Sequence, residues 1–272
     1  MWKEKKKQQI IFDGVVTGLP NTTPKLKGLL QKDDGYIFVQ KVMSYSKKVR
    51  KGGVIIDVGC GTGTLLEKIY HNALNSSYLI GIDISSESVK IAKQKNKAVD
   101  FIVCDLEALP LRDSISDMVV IWNVLHHLST LKPLHSLIQL LDSNGVMIID
   151  DKINVNPLQE ILTLAYPLLP YSLKMVLREK GNHIDRHGHL PPTKRYSPKT
   201  YVKIIQQCSN RLRIVEIGYH GFFLLSGVLD FISYFFPRIS NIPIPIYKLY
   251  SLERRKILRW SAISMTIIVE RV

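Results

Sequence analysis

A short apolar run, Val54-Ile55-Ile56-Asp57-Val58, ends in glycines at alternate positions, Gly59, Gly61 and Gly63. A helical pattern begins at Thr64, with Leu65, Leu66 and Ile69 as its apolar positions. A β-branched run of this kind describes a strand buried on both faces. Glycine allows a tight turn and lets a ligand approach the backbone. The helix start that follows offers unpaired N–H groups and the positive end of a dipole. Strand, glycine turn and helix together form a ligand-binding device.

The spacing narrows the ligand. A dinucleotide fingerprint reads G-x-G-x-x-G. Here the third glycine comes one residue early, and Asp57 precedes the turn, giving D-V-G-C-G-T-G. This resembles motif I of the class I S-adenosylmethionine-dependent methyltransferases. The resemblance implies a Rossmann-like α/β fold: a seven-stranded, mostly parallel sheet with an antiparallel last strand, helices on both faces and helical insertions. It implies S-adenosyl-L-methionine as the cofactor, with Asp57, Gly59, Gly61 and Gly63 among the cofactor-binding residues. A nicotinamide-dependent oxidoreductase is an alternative that the glycine spacing disfavours.

Further strands follow in order. Tyr78 to Ile84 is a second apolar run carrying Asp83, 22 residues after Gly61. An alternating strand–helix unit places a carboxylate there for ribose hydroxyls. A helix cap is the alternative role for Asp83. Ser85-Ser86-Glu87-Ser88 opens the next helix with hydroxyl caps and an early acid. Asp100 to Leu106 is a third strand, and Ser116 to Asn123 a fourth. Asp142 to Gly145 reads as a turn, and Val146 to Asp150 as a fifth strand. The resemblance faces Asp105 toward the adenine amino group and packs Leu106 on the ring, Asp105 as a loop cap being the alternative. It adds Ile84 to the cofactor set and sets Asn123 beside the methionine part. Candidates Asp57, Asp83, Asp105 and Asn123 all lie at strand ends, where ligands of open α/β sheets bind. His126 or His127, just after strand four, is the candidate catalytic base, since histidine titrates near neutrality. A backbone hydrogen bond is the plainer role for either.

Residues 1–51 read as an arm followed by a helix, Tyr36 to Val49; the resemblance lays them over the cofactor site with Tyr36 a candidate contact, and a helix merely packed on the sheet is the alternative. The remainder, 52–272, is the methyltransferase domain with insertions at about 154–194 and 221–260. The first insertion ends in a polar loop with His183, Asp185, His187 and His189. The chemistry of the resembled cofactor needs no metal, so no metal site is expected there. Tyr196 to Ile205 is a capped helix, Arg213 to Gly218 a sixth strand and Ser264 to Arg271 a seventh. The resemblance inserts that last strand antiparallel between strands five and six. The second insertion repeats Leu225, Val228, Leu229, Ile232, Phe235 and Phe236 at helical spacing. It holds Asp230 and stops at Pro237, which argues against a membrane span.

Net charge is +14, unevenly spread: +8 over residues 1–51, −5 over 52–151 and +11 over 152–272. Basic flanks suit an anionic partner, whether acidic acceptor, phospholipid surface or nucleic acid. Solubility charge on exposed faces would give the same sums. The apolar insertions favour a small or lipid-like acceptor, with peripheral contact to an anionic membrane. RNA or DNA is the less favoured acceptor. A cofactor-binding or membrane-associated protein without turnover is the non-enzymatic alternative. Three cysteines, Cys60, Cys104 and Cys208, are far apart and unpatterned, which suits a reducing compartment. With no signal-peptide run behind the basic N-terminus, a cytoplasmic location is expected.

Overall fold

A computed structural model describes residues 31–72, 77–154, 194–222 and 262–272. Helix α1 (Gln31–Ser46) leads into strand β1 (Val54–Val58), helix α2 (Thr64–Asn72) and strand β2 (Tyr78–Asp83). Helix α3 (Ser86–Lys95), strand β3 (Asp100–Val103) and strand β4 (Ser116–Trp122) continue the alternation. Helix α4 (Lys132–Gln139) precedes strand β5 (Leu141–Lys152). Helix α5 (Pro198–Cys208) and strands β6 (Leu212–Phe222) and β7 (Ala262–Arg271) complete the described elements.

The strands form one seven-stranded sheet in the order β3-β2-β1-β4-β5-β7-β6. β1 to β5 are parallel, while β7 runs antiparallel to both β5 and β6. The architecture expected from the sequence is the one observed. Its apolar runs explain it. Ile55 and Ile56 are both fully buried, yet they join different core clusters, because successive strand residues face opposite ways. Each contributes on the order of 1.5–3 kcal/mol by leaving water. One face packs against α1, α2 and α3 through Phe38, Val42, Leu66, Ile69, Val89 and Ala92. The other packs against α4 and α5 through Leu134, Leu137, Tyr201 and Ile205.

Caps fall where side-chain chemistry favours them. Ser85 caps α3, its side chain accepting from Ser88 N–H at 3.1 Å. Ser197 caps α5 by accepting from Thr200 N–H at 3.2 Å, with Pro198 in the first turn. Two boundaries differ from expectation. α1 begins at Gln31 and ends at Ser46, ahead of Val49. The turn expected at Asp142–Gly145 lies inside β5: the β4 ladder passes from Ser116↔Leu141 to Met118↔Val146, so four residues bulge out. Asn144, at φ +69°, makes that bulge. A Cβ on Gly145 would lie 2.9 Å from Asp142 O and 3.0 Å from Ser116 O, so only glycine fits.

The arm before residue 31, the Tyr36 side chain, the polar histidine loop and the apolar repeat from Leu225 to Phe236 lie outside the described residues.

Candidate functional site

The strand order reverses between β1 and β4, since β2 and β3 lie on one side of β1 and β4 on the other. A crevice outside the carboxyl ends is the usual ligand site at such a switch point. Along that edge the candidates appear in lateral order: Asp105 after β3, Asp83 ending β2, Asp57 near the end of β1, Asn123 after β4.

The glycine turn is tied to β2. Gly59 and Cys60 N–H groups both donate to Ile82 O, at 2.7 and 3.0 Å, and Gly63 N–H donates to Cys60 O at 2.9 Å. Gly59, Gly61 and Gly63 all have left-handed backbones, with φ of +71°, +51° and +77°. Their surroundings differ. A Cβ on Gly59 would come within 2.2 Å of Val124 Cγ2, and one on Gly63 within 2.9 Å of Phe101. On Gly61 it would meet nothing within 4 Å. Gly61 thus opens on free space, as a backbone surface for a ligand requires, while its neighbours are packed.

Asp83 holds this turn. Its Oδ2 accepts from Gly61 N–H and its Oδ1 from Ser85 N–H, both at 2.8 Å. A carboxylate at a strand end suits a vicinal diol, since its oxygens accept and donate nothing. Ser85, not Asp83, caps the helix. Ile84 is half-buried between them. Asp57 is buried in β1; burial, and then the charge of Asp83, push its carboxyl up to about 8. Burial pushes the Cys60 thiol up as well, with Asp57 and Asp83 adding to the effect, so it is no nucleophile at neutral pH.

Asp105 caps a single 3-10 turn, Leu106–Ala108, by accepting from Glu107 N–H at 3.0 Å. Leu106 is buried at 9% exposure against the core. Asn123 is exposed, with φ +57°, and its N–H donates to Asp150 O at 2.8 Å. That left-handed residue turns the chain off β4 and brings Val124 against Gly59. Asparagine tolerates this conformation better than most residues.

The two histidines part company. His126 is 1% exposed and pairs its Nδ1 with Asp151 Oδ1. Asp151 also accepts from Tyr201 O–H at 2.9 Å and from Lys152 N–H at 2.9 Å. Burial first, then Asp151, push the Tyr201 phenol up, so it stays a donor. His127 is half-buried, with its ring centroid 4.0 Å from that of His126. On the other face of β5, Asp150 Oδ2 meets His220 Nε2 at 2.6 Å and accepts from Thr266 O–H at 2.5 Å. Sequence reading missed both clusters. Their one local signal is two adjacent acids, Asp150 and Asp151, closing an apolar strand. Among the described residues no group of His, Cys, Asp or Glu could hold a metal ion.

Residues 49–180 match the family model described as "Methyltransferase domain". The chain is 35% identical over 114 residues to the tRNA (carboxymethyluridine(34)-5-O)-methyltransferase of Arabidopsis thaliana, covering 40% of this chain and 26% of that protein. It is 33% identical over 123 residues to the ribosomal protein L11 methyltransferase of Thermotoga neapolitana, covering 41% and 46%. With the human "probable tRNA methyltransferase 9B" it shares 34% over 91 residues, covering 33% and 18%. The chain therefore spans less than half the length of these relatives. Two solved structures share the fold. The [4+2]-cyclase SpnF has a TM-score of 0.58 at 14% identity, covering 98% of this chain and 96% of that one. The Streptomyces coelicolor geranyl diphosphate C-methyltransferase, solved with S-adenosyl-L-homocysteine, has 0.55 at 15%, covering 87% and 76%.

These relatives correct the expectation of a small or lipid-like acceptor and of a lesser place for nucleic acid. By name they act on tRNA and on a ribosomal protein. The lipid reading rested on apolar insertions, and apolar composition alone does not say what a segment faces. No helix among the described residues is long and apolar enough to cross a membrane. The sheet order and the open glycine at its switch point are those of the class I S-adenosylmethionine-dependent methyltransferase fold, and residues 49–180 carry the methyltransferase domain.

Proposed function

We propose that this protein methylates RNA, with tRNA as the acceptor class. The observation that carries this reading is the sequence match over the catalytic domain to methyltransferases named for tRNA. The basic flanks around an acidic middle, +8 and +11 about −5, suit a polyanionic acceptor.

The residues present fit the cofactor, since Gly61 leaves backbone open to a ligand beside a row of acceptors. Asp83 would take the ribose hydroxyls while keeping Gly61 in place. Asp105 would accept from the adenine amine, with Ile84 and Leu106 flanking the ring. Asn123 would stand at the methionine end, and Gly59 and Gly63 would set the turn. When bound, the cofactor supplies an electrophilic methyl group on a sulfonium that departs as a neutral thioether. The protein chiefly orients acceptor and donor, so no single base is obligatory. His126 is committed to Asp151, which suits positioning. His127 is the one closer to solvent and the candidate for proton transfer.

The test uses the full chain, methyl-labelled S-adenosylmethionine, and RNA, protein and lipid fractions from cells lacking the gene. Label in the RNA fraction that nuclease releases as a methylated nucleoside is the expected result. Label confined to protein or lipid, or none in RNA, would refute the reading.

A further inference from the structure

Beyond the end of β4, a different segment takes the place beside β5. Lys194 N–H donates to His126 O at 2.6 Å, Ile153 bridges Tyr196 in parallel, and Asn154 N–H donates to Tyr196 O at 3.1 Å. Ile153 is buried in the core on the α4–α5 face, and Tyr196 packs against the same cluster. Strand alternation then turns the preceding residues, Lys152 and Arg195, side by side onto the opposite face. That is the face of Trp122 and Asp150, which are paired in register. On its other flank Lys152 pairs with Ser264, and Ser264 with His220. Arg195, Lys152, Ser264 and His220 therefore form one row across the sheet, just past the strand ends that bound the crevice.

Two cations held in adjacent register repel each other. Burial and then the Arg195 charge lower the Lys152 ammonium from its ordinary value, with Asp151 opposing them. Among the described residues neither Lys152 nor Arg195 has an acid within ion-pair distance. Lys194 differs: its ammonium donates to Ser129 O at 3.3 Å and lies 5.2 Å from the Tyr196 ring centre. His220 is fixed by Asp150 and by Thr266, at 3.3 Å from the latter. A pair of like charges, Lys152 half-buried and Arg195 exposed, flanked by a hydroxyl and an oriented imidazole is a setting that a bound anion would relieve.

We propose that Lys152 and Arg195, flanked by Ser264 and His220, form a phosphodiester-binding site that seats the acceptor RNA beside the cofactor crevice. This rests on the RNA reading above. Phosphate contacts fix register and orientation without reading sequence, so the site positions an acceptor whose identity is chosen elsewhere. Arg195 offers a planar fork to a phosphate and Lys152 a point charge.

The experiment measures binding of unfractionated tRNA to the full chain across a salt series. It compares wild type with Lys152→Ala/Arg195→Ala, Arg195→Ala alone, and Lys90→Ala/Lys93→Ala. The last pair removes the same charge from exposed positions on α3. The expected result is a roughly 10- to 100-fold loss of tRNA affinity in the first double variant, with the salt slope lowered by about 1 to 2. Arg195→Ala, at an exposed position that leaves the core intact, should show a smaller loss in the same direction. The α3 pair should show little change, and calorimetric affinity for S-adenosylmethionine should be retained throughout. If wild type binds tRNA and the Lys152/Arg195 variants bind it equally, the site is refuted while the RNA reading stands. Equal losses from the α3 pair would likewise refute it, as a mere effect of net charge. Wild type that binds phosphatidylglycerol vesicles through Lys152 and Arg195 but not tRNA would overturn both.

Discussion

Gly59 and Gly61 have similar left-handed backbones and opposite surroundings. Gly59→Ala would drive a methyl group into Val124, only 2.2 Å from the ideal Cβ position. The Val124 side chain has to give way there, at a cost on the order of 1–3 kcal/mol. Gly61→Ala meets open space and bears mainly the left-handed strain, on the order of 1–2 kcal/mol. The thermal midpoint should therefore fall further for Gly59→Ala. Affinity for S-adenosylmethionine, per unit of stability lost, should fall further for Gly61→Ala. Calorimetry and melting of both variants check this, and the reverse ranking would contradict it. Asp57 yields a pH signature. Its folded carboxyl sits near 8 against an ordinary 3.8, so the folded state keeps a proton that the unfolded chain has released. The raised group favours folding below the unfolded value and loses that contribution as pH climbs toward the folded one, at up to about 1.4 kcal/mol per pH unit. Relative to wild type, Asp57→Asn should gain melting temperature steadily from pH 5 to pH 8. A gap that stays constant across that window would refute the assignment.

The segment between β4 and α4 shows how an element is held from a distance. Asn123 turns it, Val124 lodges it against Gly59, and His126 anchors it through Asp151 to Tyr201 on α5. Tyr201→Phe removes one donor from a buried carboxyl and leaves the ring packing intact. The expected cost is about 1–3 kcal/mol, with weaker S-adenosylmethionine binding because Val124 and the glycine turn share this support. An unchanged melting point and an unchanged dissociation constant would show the anchor to be idle. The sequence made the elements legible through their local signals. Unbroken apolar runs marked the inner strands, glycine spacing marked the turn, and Ser85 and Ser197 marked helix starts. The anchors were not legible, because His126, Asp151 and Tyr201 come from three separate elements and no local pattern joins them. The irregular start of β5 was hidden for a related reason. Asp142-Ser143-Asn144-Gly145 has turn chemistry, and only the ladder with β4 shows that the turn is a bulge within a strand.

At the scale of the molecule, a mostly parallel seven-stranded sheet with β7 antiparallel between β5 and β6 was expected from the resemblance. The acceptor was not readable at that scale. Charge and apolar insertions each allow several partners, and relatives rather than composition moved the choice to RNA. The place of β7 bears on how the chain is made. β5 is finished at Lys152 and β6 at Phe222, and in the folded sheet neither pairs with the other, because β7, which starts only at Ala262, lies between them. A chain emerging from the ribosome in order has its β5 edge without its native partner strand through all the intervening synthesis. An open, apolar strand edge invites pairing with other chains. The nascent protein is thus most exposed to aggregation in the interval before its last described strand appears, and chaperone protection would matter most then.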